Sequence, residues 1–187
     1  MTIAYVVIGL LVVLVIAYIL INNSLIGARN KCDEAWSGID VQLKRRHDLV
    51  PNLVETVKGY AAHEQQTLSR VTDARAGAMA ADNAPPAQRA QAESSLSNAL
   101  GGIRVVAEQY PQLRAADNFI RLQGELTEIE DEIQASRRIY NSNVQIYNTR
   151  QQIFPNSIVA ARGDFQPREF FEIEVASERE VPQVSFS

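Results

Sequence analysis

Residues 3 to 21, IAYVVIGLLVVLVIAYILI, hold no strongly polar side chain, and no charged residue occurs from Thr2 to Ala28. As a helix rising about 1.5 Å per residue, the run is about 28 Å long, close to the thickness of a bilayer's hydrocarbon core. In lipid every backbone polar group has to be satisfied within the segment itself, which a continuous helix does. A helix in a soluble core rarely stays apolar on every face over this length. Residues 1–28 are therefore predicted to be a transmembrane anchor, with Ile3, Val7, Leu10, Leu14, Tyr18 and Ile21 as its characteristic apolar side chains.

A cleaved signal peptide fits less well, because the segment has no basic n-region, exceeds a usual h-region and is followed by no clean small-x-small cleavage site. The residues before the single cysteine, ARNK before Cys32, are polar and basic, which argues against a lipidated cysteine; with one cysteine no disulfide forms within the chain. Arg29 and Lys31 follow the apolar run closely and no basic residue precedes it, so the positive-inside rule places the N-terminus outside and the large C-terminal domain in the cytoplasm.

All 18 basic and 22 acidic residues lie beyond Ala28. Their signs are interleaved and the net charge is −4, which disfavours a nucleic-acid partner. The remainder is helix-patterned. Cys32, Trp36, Ile39 and Leu43 form one stripe, and Leu53, Val54, Val57, Ala61, Leu68 and Val71 a later one. Between them stands Pro51. Lys44 to His47 supply cations suited to a helix C-terminus and Asp48 is a candidate cap, so the reading leans to a break at Pro51 over one kinked helix. The stretch AADNAPPAQ, residues 80–88, is a connector. A further helix then carries Leu96, Leu100, Ile103 and Val106 inward, softened by Gly101 and Gly102, and ends near Tyr110-Pro111.

The strongest periodicity runs from about 112 to 153, through Phe119, Leu122, Leu126, Ile129, Ile133, Ser136, Tyr140, Asn143 and Tyr147. Ile139, Val144 and Ile146 widen that stripe beyond a two-stranded seam, which favours a multi-helix bundle. The predicted fold is all-α: a transmembrane helix, then an antiparallel up-and-down bundle over 29–153 with three or four long helices, depending on Pro51. After Gln152 the chain holds five of its six phenylalanines. Residues 154–187 are predicted to pack back onto the bundle or a neighbouring subunit through Phe154, Phe165, Phe170 and Phe171, with FEIEV alternating like a short strand.

Neither His47 nor His63 has zinc-site spacing, and HEQQT lacks the second histidine of a metalloprotease helix. Glu125, Glu128, Glu130, Asp131 and Glu132 lack the Glu-x-x-His partners of a dimetal bundle and read as a solvated face. There is no phosphate loop and no nucleophile elbow. No catalytic residue, cofactor or metal is predicted, and the chain is not expected to be an enzyme.

Three strings are more specific than any periodicity: RNKCDEAWSGIDVQLKRRHDLVPNLVETVKGYAAHE, LTEIEDEIQASRRIYNSNVQIYN, and IFPNSIVAARGDF followed by REFFE. In that order, behind an apolar N-terminus, they closely resemble the LemA family of bacterial membrane proteins over nearly the whole chain. The resemblance implies a single-pass anchor in the bacterial inner (plasma) membrane, long antiparallel helices and no established enzymatic activity. A related branch is associated with magnetosome membrane formation, and some members neighbour genes for membrane metallopeptidases or TPM-domain proteins, which implies a partner of that kind.

The family-characteristic segment from Trp36 to Glu64 carries many defined polar positions, so Trp36, Asp40, Arg45 and Arg46, with Phe165, Phe170 and Phe171 of the tail, are the candidate interface residues. The expected function is structural. Copies anchored in one bilayer associate as a homo-oligomer through their soluble helices, since confinement to a surface raises effective concentration and no GxxxG pattern surrounds Gly9. The alternative is an adaptor that recruits a membrane peptidase or another envelope protein through the tail.

Overall fold

The first helix, α1 (Thr2–Tyr60), continues without interruption through Pro51, so the break expected there does not occur. Proline lacks the N–H that would bond the carbonyl four residues back, which for Pro51 is that of His47. The guanidinium of Arg75 supplies the missing donor: its Nε–H donates to the His47 carbonyl at 2.7 Å. Lys44 to His47 therefore sit in a helix interior, and the chain reverses ten residues after Pro51, over Ala61–Glu64. There the Glu64 N–H donates to the Ala61 carbonyl at 3.1 Å.

The computed structural model describes residues 1–172, and within them all regular structure is helical. After α1 come α2 (Gln65–Ala80), α3 (Pro86–Gln109), the single turn α4 (Pro111–Arg114), α5 (Asp117–Gln152) and α6 (Asn156–Arg162). The connector predicted at 80–88 separates α2 from α3. Pro86 and Pro111 occupy first-turn positions, where a missing N–H costs nothing. The last long helix starts later than its periodicity suggested, because α4 absorbs residues 111–114. The short helix α6 lies in a region read as an irregular tail. Of FEIEV only Phe171 and Glu172 are described; the remainder, like Phe186, lies outside the described residues.

Contacts divide the described residues into two compact units, one of residues 1–38 with 138–169 and the other of residues 39–137 with 170–172. The larger unit is an up-down-up-down bundle. Arg75 of α2 meets His47 of α1; Asp40 of α1 meets Arg89 of α3, and Glu64, just past the end of α1, meets Tyr110, just past the end of α3; Glu130 of α5 meets Arg46 of α1. Its core joins Leu53 and Val57 to Val71, Leu96, Ile103, Leu113 and Leu122. At Gly102 an added Cβ would stand 3.3 Å from Thr67 Cγ2, so this glycine lets α3 approach α2 closely, beyond merely softening α3.

In the smaller unit α5 runs antiparallel to α1. Asn143 Nδ2 donates to the Lys31 carbonyl at 3.0 Å, and Arg150 Nη1 to Ser24 Oγ at 3.1 Å. Leu25, Cys32, Tyr140, Val144, Tyr147, Val159 and Phe165 are buried in this unit, and the rings of Trp36 and Tyr140 meet at 5.1 Å and 56°. Ile139 and Ile146, expected to widen the buried stripe, instead face outward. Each stands one residue before a buried tyrosine, and only Val144 of the predicted wider stripe turns in.

Removing the Arg75 guanidinium strands the His47 carbonyl. Arg75→Ala is expected to cost about 1–3 kcal/mol. In a Pro51→Ala background, where the backbone N–H is restored, the same change should cost less. Thermal unfolding of the full-length chain in detergent, followed by helicity across this double-mutant cycle, measures the coupling.

Candidate functional site

Two features of the structure are unusual enough to carry function: the apolar start of α1 and a buried ionic cluster. From Ile3 to Leu20 every large apolar side chain is exposed, Ile3, Val7, Leu10, Leu14 and Tyr18 among them, while Ile21 is half-buried. The helix contains a window of mean hydropathy 3.0, none of it buried by the protein. The exposure ends abruptly. Leu25 is fully buried and Ala28 nearly so, so residues 22–28 of the predicted anchor already pack within the smaller unit.

In the larger unit Arg46 and Glu93 are both about fully buried and form an ion pair. Arg46 Nη1 also donates to Ser97 Oγ and to Glu130 Oε2, each at 3.0 Å. The second Glu93 oxygen accepts from His47 Nε2 at 2.8 Å. Burial alone would raise the Glu93 carboxyl, but the His47 hydrogen bond and the Arg46 charge outweigh it and hold the group below its ordinary value. A second buried guanidinium, Arg89, pairs with Asp40 and with Asp82 at 3.3 Å. A cleft of about 270 Å³ opens beside Arg46, lined also by Ser97, Arg104, Gln123, Glu130 and Gln134. These groups clamp helices together; they include no nucleophile held against a base. Among the described residues no group of His, Cys, Asp and Glu is placed to hold a metal.

The predicted interface residues differ in exposure. Arg46 and Phe171 are buried within the chain and Phe165 nearly so. Asp40 is tied to Arg89, and Trp36 is half-buried against Tyr140. Arg45 and Phe170 remain exposed. Glu130, expected on a solvated face, is a partner of Arg46. Phe154 does not pack back at all and is 80% exposed.

Sequence reasoning missed the device that returns the tail to the helices. The Asn148 side-chain amide imitates a peptide partner: its oxygen accepts from the Arg168 N–H and its nitrogen donates to the Arg168 carbonyl, both at 2.9 Å. Arg168 also reaches Asp33 at 2.6 Å, and the Tyr140 hydroxyl donates to the Glu169 carbonyl at 2.9 Å. Burial pushes the Tyr140 hydroxyl up to about 12 and raises the Cys32 thiol, so neither is poised to react near neutrality.

The profile described as LemA family matches residues 35–186, most of the chain. The chain belongs to the LemA family. Among its relatives are "Protein LemA" of Metamycoplasma hominis, 28% identical over 76% of this chain and 65% of that protein, and "Magnetosome protein MamQ 2" of Paramagnetospirillum magneticum, 27% identical over 73% and 59%. "Magnetosome protein MamQ" of Magnetospirillum gryphiswaldense is 25% identical over 79% and 64%. The match thus spans about two thirds or less of each relative's length. The names of the LemA family and of these relatives are not those of enzymes, and together with the exposed apolar helix they fit a membrane-associated protein.

The depressed Glu93 carboxyl fixes the sign of a pH dependence. A carboxyl lowered on folding contributes stability that is present above its unfolded value and is lost as pH falls through the folded one. The melting temperature should fall on acidification below the ordinary carboxylate value of about 4. Glu93→Gln, which leaves the buried Arg46 short of a counter-charge, should cost about 3 kcal/mol at neutral pH and flatten that acid limb. Melting curves of both proteins across the acid range check this.

Proposed function

We propose that this LemA-family protein is a membrane-anchored structural protein whose copies self-associate through their helical domains to organise the bilayer that holds them. The observation that carries the reading is α1 itself. An apolar cylinder exposed on all faces continues, within one unbroken helix of 59 residues, into a core fixed by buried ion pairs.

The contact between copies has a candidate on α5. Ile139 and Ile146 are exposed one heptad apart, in a chain whose other large apolar side chains on that helix are mostly buried. A narrow apolar seam of this spacing suits pairing of parallel copies. Each contact is small, and tethering in one plane raises the effective concentration that small contacts need. The adaptor reading has less to stand on, because Phe165 and Phe171 of the tail are spent inside the chain.

We further propose a bacterial plasma membrane with the helical domain in the cytoplasm. Arg29 and Lys31 follow the span, and the nearest acid on α1 is Asp33. A reporter fused after Ser187 should be active only in its cytoplasmic form; a reporter active only in the periplasm reverses the orientation.

Self-association is tested by the mass of the full-length protein in lipid nanodiscs or mild detergent. Multiples of the 20.8 kDa chain are expected, returning to the monomer in the Ile139→Asp, Ile146→Asp double variant with helicity unchanged. A strict monomer at every wild-type concentration overturns the proposal.

A further inference from the structure

The corner between α5 and α6 exposes three large apolar side chains close together in sequence: Ile153 at 50%, Phe154 at 80% and Ile158 at 47%. Water-facing phenylalanine at this level is costly, roughly 1.5–3 kcal/mol against burial, so a covering medium is called for. The register of the smaller unit says which. Asn143 lies against Lys31 and Arg150 against Ser24, so each step toward the C-terminus of α5 is a step toward the N-terminus of α1. By the same register Gln152, the last residue of α5, stands level with Asn22, so Ile153 and Phe154 leave the helix next to the level of Ile21 and Leu20. Those are the residues at which the all-round exposed apolar stretch of α1 ends.

The chain does not stay at that level. Val159 and Ala160 of α6 turn inward, Phe165 lies under the Arg29 guanidinium at 5.8 Å, and Arg168 is held by Asn148. The corner is thus the turning point of the unit at its anchor end. The charges around it have one sign. No acid occurs from Met1 to Cys32 or from Ile133 to Gly163, whereas Arg29, Lys31, Arg150 and Arg162 lie in those segments. The acids nearest to them are Asp33, which is paired with Arg168, and Asp164. Apolar tips below a collar of cations match a bilayer surface with anionic headgroups, where cations gain from the surface potential and apolar rings from the acyl boundary.

We infer that the α5–α6 corner is a second membrane contact, in which Ile153, Phe154 and Ile158 enter the lipid interface beside the α1 span. This rests on the reading of α1 as a membrane anchor. Two points of attachment on one rigid unit fix its tilt and rotation about the α1 axis, which a lone span does not.

Lipid-borne quenching tests it. The chain has one tryptophan, Trp36, about 22 Å along α1 beyond Ile21 at 1.5 Å per residue. Full-length protein is reconstituted into vesicles of phosphatidylcholine and phosphatidylglycerol whose acyl chains carry bromine at shallow positions. Phe154→Trp in a Trp36→Phe background should lose most of its emission to the brominated lipid and be shielded from aqueous acrylamide. Wild-type Trp36 should be insensitive to the lipid. Phe154→Trp with Trp36 retained should show the same added quenchable component, which guards against disturbance of the Trp36–Tyr140 contact. Leu14→Trp reports the span itself. If the residue-14 probe is quenched while the one at 154 is not, and acrylamide reaches the latter, the corner stays in water and the inference fails although the anchor stands. A probe at 154 shielded from both quenchers would signal burial against another copy, which also overturns it. If the residue-14 probe escapes lipid quenching, the anchor reading falls and this inference with it.

Discussion

The larger unit depends on α1 remaining one helix through its core, and that continuity is decided at Pro51. A proline in a helix interior removes one backbone donor and crowds the preceding turn, at a cost of about 3 kcal/mol. Here the vacated His47 carbonyl is bonded by Arg75 from α2, so the weak point of α1 becomes a place where α2 is held. On the side chain of that same residue, His47 Nε2 bonds Glu93 of α3. One residue earlier, Arg46 reaches α3 and α5 through Glu93 and Glu130. Two successive residues of α1 thereby contact all three other long helices of the larger unit.

Burying two guanidinium groups is an expensive way to join helices. A buried ion pair seldom outdoes well-packed apolar side chains of the same volume, while losing one partner costs several kcal/mol. What the pairs at Arg46 and Arg89 do supply is register. Leucine and isoleucine surfaces tolerate a slip along a helix; a guanidinium shared between Glu93, Ser97 and Glu130 does not.

The fold was legible in the sequence wherever apolar periodicity spoke alone. The α3 stripe through Leu96 and Ile103 and most of α5 lie where spacing put them, because burial of apolar surface dominates those choices. Errors arose where polar side chains decided the outcome. Pro51 read as a break because nothing in the local sequence says that Arg75, 24 residues on, will replace its N–H. Arg46 read as a surface residue because its partners Glu93 and Glu130 are remote in the chain. The pairing of Asn148 with the Arg168 backbone is equally non-local. The chain's lack of recognisable catalytic chemistry left the candidate site to be found from exposure rather than from motif.

Exposure carries different meaning in the two units. On the larger one Val41, Val105 and Ile120 are scattered single apolar side chains on separate helices, as on most soluble surfaces. On the smaller one Ile139 and Ile146 of α5 and Ile153, the residue just past its end, follow each other at intervals of seven and lead to Phe154. An α-helix drifts by only about 20° per heptad, so these side chains lie near one line. By the register with Lys31 and Ser24, that line descends toward the exposed apolar end of α1. A single stripe thus joins a face available to a neighbouring copy to a tip at the level of the span. Association of copies and seating in lipid would then draw on adjoining parts of one helix face.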